Sequence, residues 1–476
     1  MVELVIAKQP KLLQGDDALN RIVTELVSCN NPIDSFFDNQ RIALLLRQSN
    51  VFKQCGFAPV VVMRFIFSLA FTGKNLFRYL QSVGSEAEIS KDTAYRFLNS
   101  VHANWRKFLH LLSAAVINHQ LVPLTAKKTP KVFIVDDSLY NRNRSKKVEL
   151  LARVHDHNEK RYYLGFRLLT LGWSDGSTYV PVSFSLLSSA NKKSRLTEMA
   201  EVDKRTNGYK RRTESLRKAP DVMKELIMQA CSSGLGADYL LFDSWFAFPS
   251  VIVGLLEQQQ QVICMLKSMK TITYGYKGFD LTLNDLCKSV YKRRGRAKIL
   301  ASIQVELGKN SKGDAVMAKI VFVRDRSKKK WLALLSTDVH LADEDIIALY
   351  KRRWDIEVFF KITKSYLNLA KEFQSRSYDA LVAHTSIVFA RYIMLALARR
   401  TSNDPRTLGS LFHAGCDELR QVSFVEALQL LMNLLEQMIK SFADKMVAPI
   451  RAMLEAFMDE IPGLLRRSLL LPACKL

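Results

Sequence analysis

Four polar residues in the segment YKRRWDIEVFFKITK share a helical spacing. Tyr350, Arg353, Glu357 and Lys364 stand at positions i, i+3, i+7 and i+14. At about 100° per residue they fall inside an arc of about 60°, so the sequence predicts one helix that carries all four on one face. The apolar residues between them are predicted to face the opposite side: Ile356, Val358, Phe359, Phe360 and Ile362.

This set of side chains suits chemistry on a phosphodiester. A carboxylate can hold a divalent metal, arginine and lysine bind phosphate oxygens, and a phenol can donate a hydrogen bond beside them. The alternative is a solvated charged face on which Arg353 pairs with Glu357 at i, i+4. The segment alone does not separate the two interpretations.

Two upstream segments each place aspartate after a short apolar strand. Residues 131–135 lead to Asp136 and Asp137, and residues 239–242 lead to Asp243. A sheet holds such a carboxylate in a fixed position, as a metal ligand requires. Neighbouring side chains on a strand point to opposite faces, so only one of Asp136 and Asp137 can face a site. A lone aspartate at a strand end is also a common helix cap.

The order Tyr, two residues, Arg, three residues, Glu, six residues, Lys resembles the signature of bacterial insertion-sequence transposases of the DDE type, in the IS-four-type branch with a Tyr-Arg-Glu-Lys motif. The sequence FDSWF around Asp243 resembles the second catalytic motif of that family. The family's first motif, Asp followed by any residue and then Ser or Thr, favours Asp136.

The resemblance implies a catalytic and metal-binding set of Asp136, Asp243 and Glu357 with two Mg²⁺ or Mn²⁺ ions. It implies that Arg353 and Lys364 grip a phosphate of the transposon end, with a hydrogen bond from Tyr350. The expected function is DNA cleavage at transposon ends and strand transfer into target DNA by a two-metal-ion mechanism. Two alternatives stay open: a ribonuclease-H-like nuclease, and a non-catalytic, domesticated DNA-binding protein.

The composition points to a polyanionic partner. The 476 residues include 70 Lys and Arg against 46 Asp and Glu, a net charge of +24, which favours nucleic acid. No apolar run of about 18 residues is present, so we expect no membrane partner. The N-terminus lacks the pattern of a secretory signal. Seven scattered cysteines suit a reducing compartment, so we expect a cytoplasmic protein. The resemblance implies that it is bacterial and associated with the nucleoid.

The expected partners are double-stranded DNA, as transposon ends and target, and a second copy of the chain, because members of the family it resembles act as homodimers in a synaptic complex. The expected fold class is α/β, a ribonuclease-H-like core with a β-rich insertion and helical flanks. The predicted units are a helical DNA-binding region (1–125), the first part of the core (126–268), the insertion (269–338), the second part of the core with the Glu helix (339–400), and a helical region for dimerisation (401–476).

Local signals predict the start or end of several elements. Ser90 is a predicted N-cap for a helical segment that runs to residue 119. The basic and aromatic residues of that segment fit either a DNA-reading helix-turn-helix or packing helices. Asp175 and Gly176 predict a hairpin turn. Asp343 is the predicted N-cap of the helix that carries the signature.

Further DNA contacts are expected outside the carboxylate set. They are Arg142 and Arg144 in a basic loop, Lys210, Arg211 and Arg212 in the basic run 192–218, and Trp331 in the insertion. The basic run fits phosphate-backbone contact or a solvated mobile face. The resemblance implies a flipped base stacked on an aromatic side chain of the insertion, for which Trp331 and Tyr276 are candidates. Core packing is the alternative for both rings.

Overall fold

The computed structural model describes residues 32–83, 89–156, 159–293, 297–325 and 330–420. Residues 37–412 form one compact unit, and the described residues 32–36 and 413–420 belong to a second. Most of the predicted C-terminal region, and the first part of the predicted N-terminal region, lie outside the described residues.

Helices make up the described chain before residue 125 and recur between and after the strands. They are α1 (Pro32–Asn39), α2 (Ile42–Gln48), α3 (Pro59–Ser68), α4 (Leu76–Val83), α5 (Lys91–Leu98), α6 (Trp105–Val116), α7 (Asn207–Ser215), α8 (Ala219–Ser232), α9 (Pro249–Glu257), α10 (Leu283–Ser289), α11 (Asp343–Lys351), α12 (Trp354–Ser365) and α13 (Tyr378–Thr401).

Eleven strands form one mixed sheet. They are β1 (Val132–Asn141), β2 (Ala152–Asp156), β3 (Arg161–Ser174), β4 (Tyr179–Leu187), β5 (Tyr239–Phe242), β6 (Val262–Leu266), β7 (Thr273–Tyr276), β8 (Phe279–Thr282), β9 (Ile299–Lys309), β10 (Ala315–Asp325) and β11 (Lys330–Ser336).

Strand β1, which carries Asp136, pairs with β3 in antiparallel and with β5 in parallel. Its residues Val132 to Val135 are fully buried, as expected of a continuous apolar strand covered on both faces. The prediction that this strand ends at Asp136 is wrong, because pairing with β3 continues to Asn141. Beside the shorter β5, pairing stops at Val135 and Phe242, so β1 projects past the end of β5.

The segment predicted as an insertion extends the same sheet. Its last strand, β11, pairs in antiparallel with β6, and β10, β9, β7 and β8 follow outward. The segment 269–338, predicted to be β-rich, contains the five strands β7 to β11. The β3–β4 hairpin turns at Asp175 and Gly176 as predicted. The Asp175 carboxylate accepts hydrogen bonds from the backbone N–H groups of Ser177 and Thr178, and Gly176 has a φ of +86°.

The single helix predicted for residues 350–364 is wrong, because Tyr350 belongs to α11 whereas Glu357 and Lys364 belong to α12. Around Arg352 and Arg353, successive backbone N–H groups bond three residues back, which tightens the chain into a turn between the helices. The apolar face is largely as predicted, although Val358 is 38% exposed.

Two predicted helix caps have different outcomes. Ser90 caps α5 by accepting a hydrogen bond from the Thr93 N–H, as predicted. The prediction for Asp343 is wrong: Ala342 holds the N-cap position of α11, and the Asp343 carboxylate instead binds Lys319 and the Ser302 hydroxyl of the neighbouring strands.

The segment predicted as helical from residue 91 to residue 119 contains two helices, α5 and α6. Trp105 is 1% exposed, and Arg106 binds the buried carboxylate of Glu214. Packing therefore explains these two residues, while a DNA-reading role of the region stays a prediction.

Helix α13 supplies much of the core behind the sheet. By length and composition it could cross a membrane, and 94% of its apolar window is buried inside the protein, as in a core helix. It is the one such helix in the part of the chain that the structure describes.

Candidate active site

The two neighbouring aspartates of β1 point to opposite faces of the sheet. Asp136 faces α12, where its Oδ2 accepts a 2.9 Å hydrogen bond from Arg353 Nη1. Asp137 faces the other way and pairs with Arg167 of β3 at 3.0 Å. The alternation along β1 therefore brings Asp136, and not Asp137, to the helix that carries Glu357.

Arg353 joins two carboxylates that are far apart in the sequence. Its Nη1 contacts Asp136, and its Nη2 donates to Glu357 Oε1. The i, i+4 pair between Arg353 and Glu357, the alternative interpretation of the sequence, is thus present, and Asp136 is added to it. The side chains of Arg353, Asp136 and Glu357 are 17%, 15% and 33% exposed, so the cluster opens toward solvent on the Glu357 side.

The third predicted carboxylate, Asp243, directly follows β5. Its Oδ1 accepts a 2.9 Å hydrogen bond from the Trp245 backbone N–H, which fixes the carboxylate at the start of the loop. Because β1 projects beyond β5, Asp136 is the first residue of β1 past their last pair, and Asp243 is the first residue after β5. The two carboxylates thus occupy matching positions at the same end of neighbouring parallel strands.

Burial and like charge act on the pKa of Asp136. Burial raises it most, the positive charge of Arg353 opposes that rise, and the negative charges of Asp243 and Asp137 add to it, giving a pKa of about 7 against an ordinary value of 3.8. The electrostatic influence of Asp243 on Asp136 shows that the two groups interact. One guanidinium does not fully offset the negative charge gathered at this point.

The other two signature residues border the cluster. Burial raises the pKa of the Tyr350 phenol well above its ordinary value, and the charge of Asp243 adds to that rise while Arg353 opposes it. Lys364 donates to the Ser138 hydroxyl of β1 at 2.6 Å, two residues beyond Asp136 on the same face of the strand. Burial lowers the pKa of Lys364, and the nearby Asp156 opposes that shift.

Several side chains that hold the site together were not singled out from the sequence. Arg352 donates to the Pro130 carbonyl before β1, and Asp355 accepts a 2.7 Å hydrogen bond from the Ser174 hydroxyl at the end of β3. These contacts anchor the first turn of α12 to both strands. Arg167 also lies over the Trp245 ring, at 5.0 Å from its centre. Each contact joins residues remote in sequence, so no local pattern could have identified them.

The donor set fits hard divalent cations such as Mg²⁺, which prefer carboxylate oxygens. Burial is the main cause of the raised pKa of Asp136 and the neighbouring carboxylates add to it, so a bound cation would stabilise the charged form of this group. Within the described ranges, no three His, Cys, Asp or Glu side chains are already grouped as a metal site. Arg353 lies on two of the three carboxylates instead, so its guanidinium and a cation would compete for the same two groups.

The basic residues expected to contact DNA have different surroundings. The prediction is wrong for Arg212, which is 2% exposed and binds Glu149 and Asp379. It is also wrong for Arg211, which donates to backbone carbonyls around residue 103, and for Arg142, which is 9% exposed and donates to the Phe373 carbonyl. These guanidiniums hold the fold together.

The side chains of Arg144 and Lys210 are exposed and stay candidates for phosphate contact. The Trp331 ring of β11 packs edge-on against Phe322 of β10, with ring centres 5.3 Å apart. At the end of β7, Lys277 lies over the ring of Tyr276. Packing therefore accounts for part of the surface of Trp331, and its predicted role in stacking on a base stays a prediction.

Comparison with protein families gives two matches that overlap. Residues 68–273 match the family described as DDE superfamily endonuclease, and residues 206–394 match the family described as Transposase DDE domain. The first range includes Asp136 and Asp243, and the second includes Asp243 and Glu357. No curated protein matches the chain.

Proposed function

We propose that Asp136, Asp243 and Glu357 form the catalytic centre of this metal-dependent DNA-cleaving enzyme, whose residues 68–273 and 206–394 match families of DDE endonucleases and transposases. In this proposal the enzyme cleaves DNA at the ends of a transposon and transfers the freed 3′-ends to target DNA. It belongs to the Tyr-Arg-Glu-Lys branch, since Tyr350, Arg353 and Lys364 all border the same carboxylates.

The observation that carries the proposal is the double contact of Arg353. It joins Asp136 to a helix 217 residues further along the chain. A solvated charged face would not need a strand carboxylate. The strand order supports a ribonuclease-H-like core, with three antiparallel strands followed by two parallel ones: β1 lies between β3 and β5, and β6 lies outside β5.

In the proposed mechanism the three carboxylates would hold two Mg²⁺ or Mn²⁺ ions. When bound, such ions would supply a Lewis acid at the scissile phosphate and a nucleophilic water or 3′-hydroxyl at neutral pH. The protein's own residues have distinct tasks. The ends of β1 and β5 fix Asp136 and Asp243, while α12 carries Glu357. Arg353 and Lys364 neutralise phosphate oxygens, and Tyr350 adds a hydrogen bond to the phosphate.

The partners in this proposal are double-stranded transposon ends and target DNA, with two copies of the chain acting in one synaptic complex in the bacterial cytoplasm. The net charge of +24 offsets the phosphates of the bound duplexes.

The experiment that tests this proposal is cleavage of a labelled duplex that carries the ends of the DNA element encoding this chain, in Mg²⁺ and in Mn²⁺. Wild type is compared with Asp136→Asn, Asp243→Asn and Glu357→Gln. Glu344→Gln, an exposed carboxylate on the neighbouring α11, is the matched control. We expect cutting at the element boundary by wild type and the control alone.

Each other outcome has a definite meaning. A variant that still cuts removes its residue from the catalytic set. Cutting without joining to an added target plasmid would favour the hydrolytic nuclease. Tight binding with no cutting by wild type in either metal would favour a DNA-binding protein without catalysis.

A further inference from the structure

Arg353 contacts one oxygen on each of two proposed metal ligands. On Asp136, Oδ1 accepts the backbone N–H of Asp137 at 2.8 Å, whereas Oδ2 is the oxygen that accepts from a side chain. Arg353 Nη1 is bound to that oxygen at 2.9 Å, and its Nη2 is bound to Glu357 Oε1. The guanidinium therefore acts as a positive counter-ion placed between two of the three proposed metal ligands.

The contacts of the Arg353 side chain are easier to exchange than those of its neighbour Arg352. It lies in the turn between α11 and α12, its side chain is partly exposed, and both of its ion pairs go to carboxylates of the proposed site. Arg352, by contrast, donates to a main-chain carbonyl, that of Pro130, and packs over Gly176. A guanidinium whose ion pairs go to partly exposed carboxylates can exchange them for another anion.

The anion that would draw it away is a DNA phosphate. A guanidinium binds phosphate with two parallel hydrogen bonds, at least as well matched in shape as the single contacts that it makes to Asp136 and Glu357. Each carboxylate would then lose its positive neighbour and attract a divalent cation more strongly. Phosphate and metal would thus each favour the binding of the other through one side chain.

We propose that Arg353 couples DNA binding to metal binding: in the DNA-free enzyme it competes with the metal for Asp136 and Glu357, and a DNA phosphate removes that competition. This inference rests on the proposed catalytic centre. It implies an enzyme that assembles its metal site mainly after DNA is bound, which limits cleavage by the free protein. By linkage, the metal must raise DNA affinity by the same factor.

The test measures metal binding and needs no catalysis. Mn²⁺ binding to the full chain is followed from the electron paramagnetic resonance signal of free Mn²⁺, with and without a duplex that ends in an already cleaved element end. Mn²⁺ held by the DNA alone is measured separately and subtracted. For wild type we expect the duplex to tighten Mn²⁺ binding by about 5- to 150-fold, the usual range of such coupling.

Two nearby cations make a matched pair of variants. In Arg353→Gln we expect tight Mn²⁺ binding without DNA and less than about a 3-fold further gain when the duplex is added, outside the usual coupling range. Arg353→Lys, which keeps the charge, should retain part of the coupling. Lys351→Gln should keep all of it, because the Lys351 side chain is exposed to solvent at the end of α11. Full coupling in Arg353→Gln would overturn the inference.

Asp136→Asn separates failure of the inference from failure of the proposed site. If this variant binds Mn²⁺ as wild type does, Asp136 is no ligand and the proposed centre is wrong. If it loses Mn²⁺ binding while Arg353→Gln keeps full coupling, the centre stands and only the role of Arg353 is wrong. Far-ultraviolet circular dichroism of each variant identifies any that fail to fold.

Discussion

Two arginines in this protein each bridge two carboxylates, but one is sealed and the other is open. Arg212 of α7 binds Glu149 and Asp379, and these three side chains are 2%, 9% and 2% exposed. Arg353 binds Asp136 and Glu357, and the side chains of Arg353, Asp136 and Glu357 are 17%, 15% and 33% exposed. Arg212 makes paired contacts to each partner, whereas Arg353 makes one to each.

The difference shows how the same chemistry serves structure in one place and function in the other. In the sealed cluster, water cannot replace a lost partner, so the bridge joins α7 to α13 and to the loop before β2 permanently. In the open cluster, phosphate or a metal can reach the charged groups. Exposure, and not residue type, separates the two roles.

Removal of the sealed arginine should have the largest effect on stability. In Arg212→Met the carboxylates of Glu149 and Asp379 stay buried with less compensation, and only Arg211 still pairs with Asp379. Breaking a buried pair in this way costs about 3–5 kcal/mol of unfolding free energy. Urea unfolding measures the loss. Arg205→Met, at a side chain that is 90% exposed beside Asp203, is the control and should change stability by less than about 0.5 kcal/mol. Equal losses in the two variants would contradict the distinction.

A buried histidine of α6, His110, should make the stability of the protein depend on pH. Burial, with a contribution from the charge of Arg106, lowers the pKa of His110 to about 4 from its ordinary 6.5. The unfolded chain therefore takes up this proton at higher pH than the folded one. The stabilisation is complete above pH 6.5 and falls as the pH drops toward 4, by up to about 3 kcal/mol.

Urea unfolding at pH 7.5 and pH 5 checks this prediction against His110→Gln. Carboxylates also titrate in that interval, so the informative quantity is the difference in pH dependence between the two proteins. Wild type should lose more stability than His110→Gln between the two pH values. The same loss in both would show that His110 does not carry the effect.

The sequence predicted those parts of the site that depend on interactions between residues close together in the chain. The site residues could be identified because strand alternation, strand ends and helical spacing act within a few residues. The break between the two helices at Arg352 and Arg353 could not be predicted, because it depends on contacts with Pro130 and Ser174, far away in the sequence. The pairing of β11 with β6 was unreadable for the same reason.

Basic residues illustrate the same limit. Lys210 and Arg212 belong to the same basic run, and the sequence alone does not distinguish them. In the structure Lys210 is exposed, whereas Arg212 is buried against Glu149 and Asp379 from two other segments. Net charge predicted the class of partner, but only the tertiary contacts separate the arginines that build the fold from those left for DNA.

The open arginine should matter little to stability. In Arg353→Met we expect the unfolding free energy at pH 7 to change by about 1 kcal/mol or less, because the pair is partly exposed and solvent can replace the lost contacts. Cleavage of the element end should fall well below wild type, since a phosphate contact is lost. Urea unfolding and the cleavage assay on the same preparation test both parts. A loss of stability as large as that of Arg212→Met would mean that the open cluster is structural too.

The smallest effect is expected at Lys210, two residues before Arg212 on the same helix. Its exposed charge contributes no buried contact, so Lys210→Ala should change stability by less than about 0.5 kcal/mol. If Lys210 contacts a phosphate, the variant should bind duplex DNA a few-fold more weakly, for element ends and unrelated sequence alike. The slope of log affinity against log salt should fall by about one, because one fewer counter-ion is released. Fluorescence anisotropy over a salt series measures both quantities. An unchanged slope would place Lys210 outside the DNA path and leave α7 with a structural role alone.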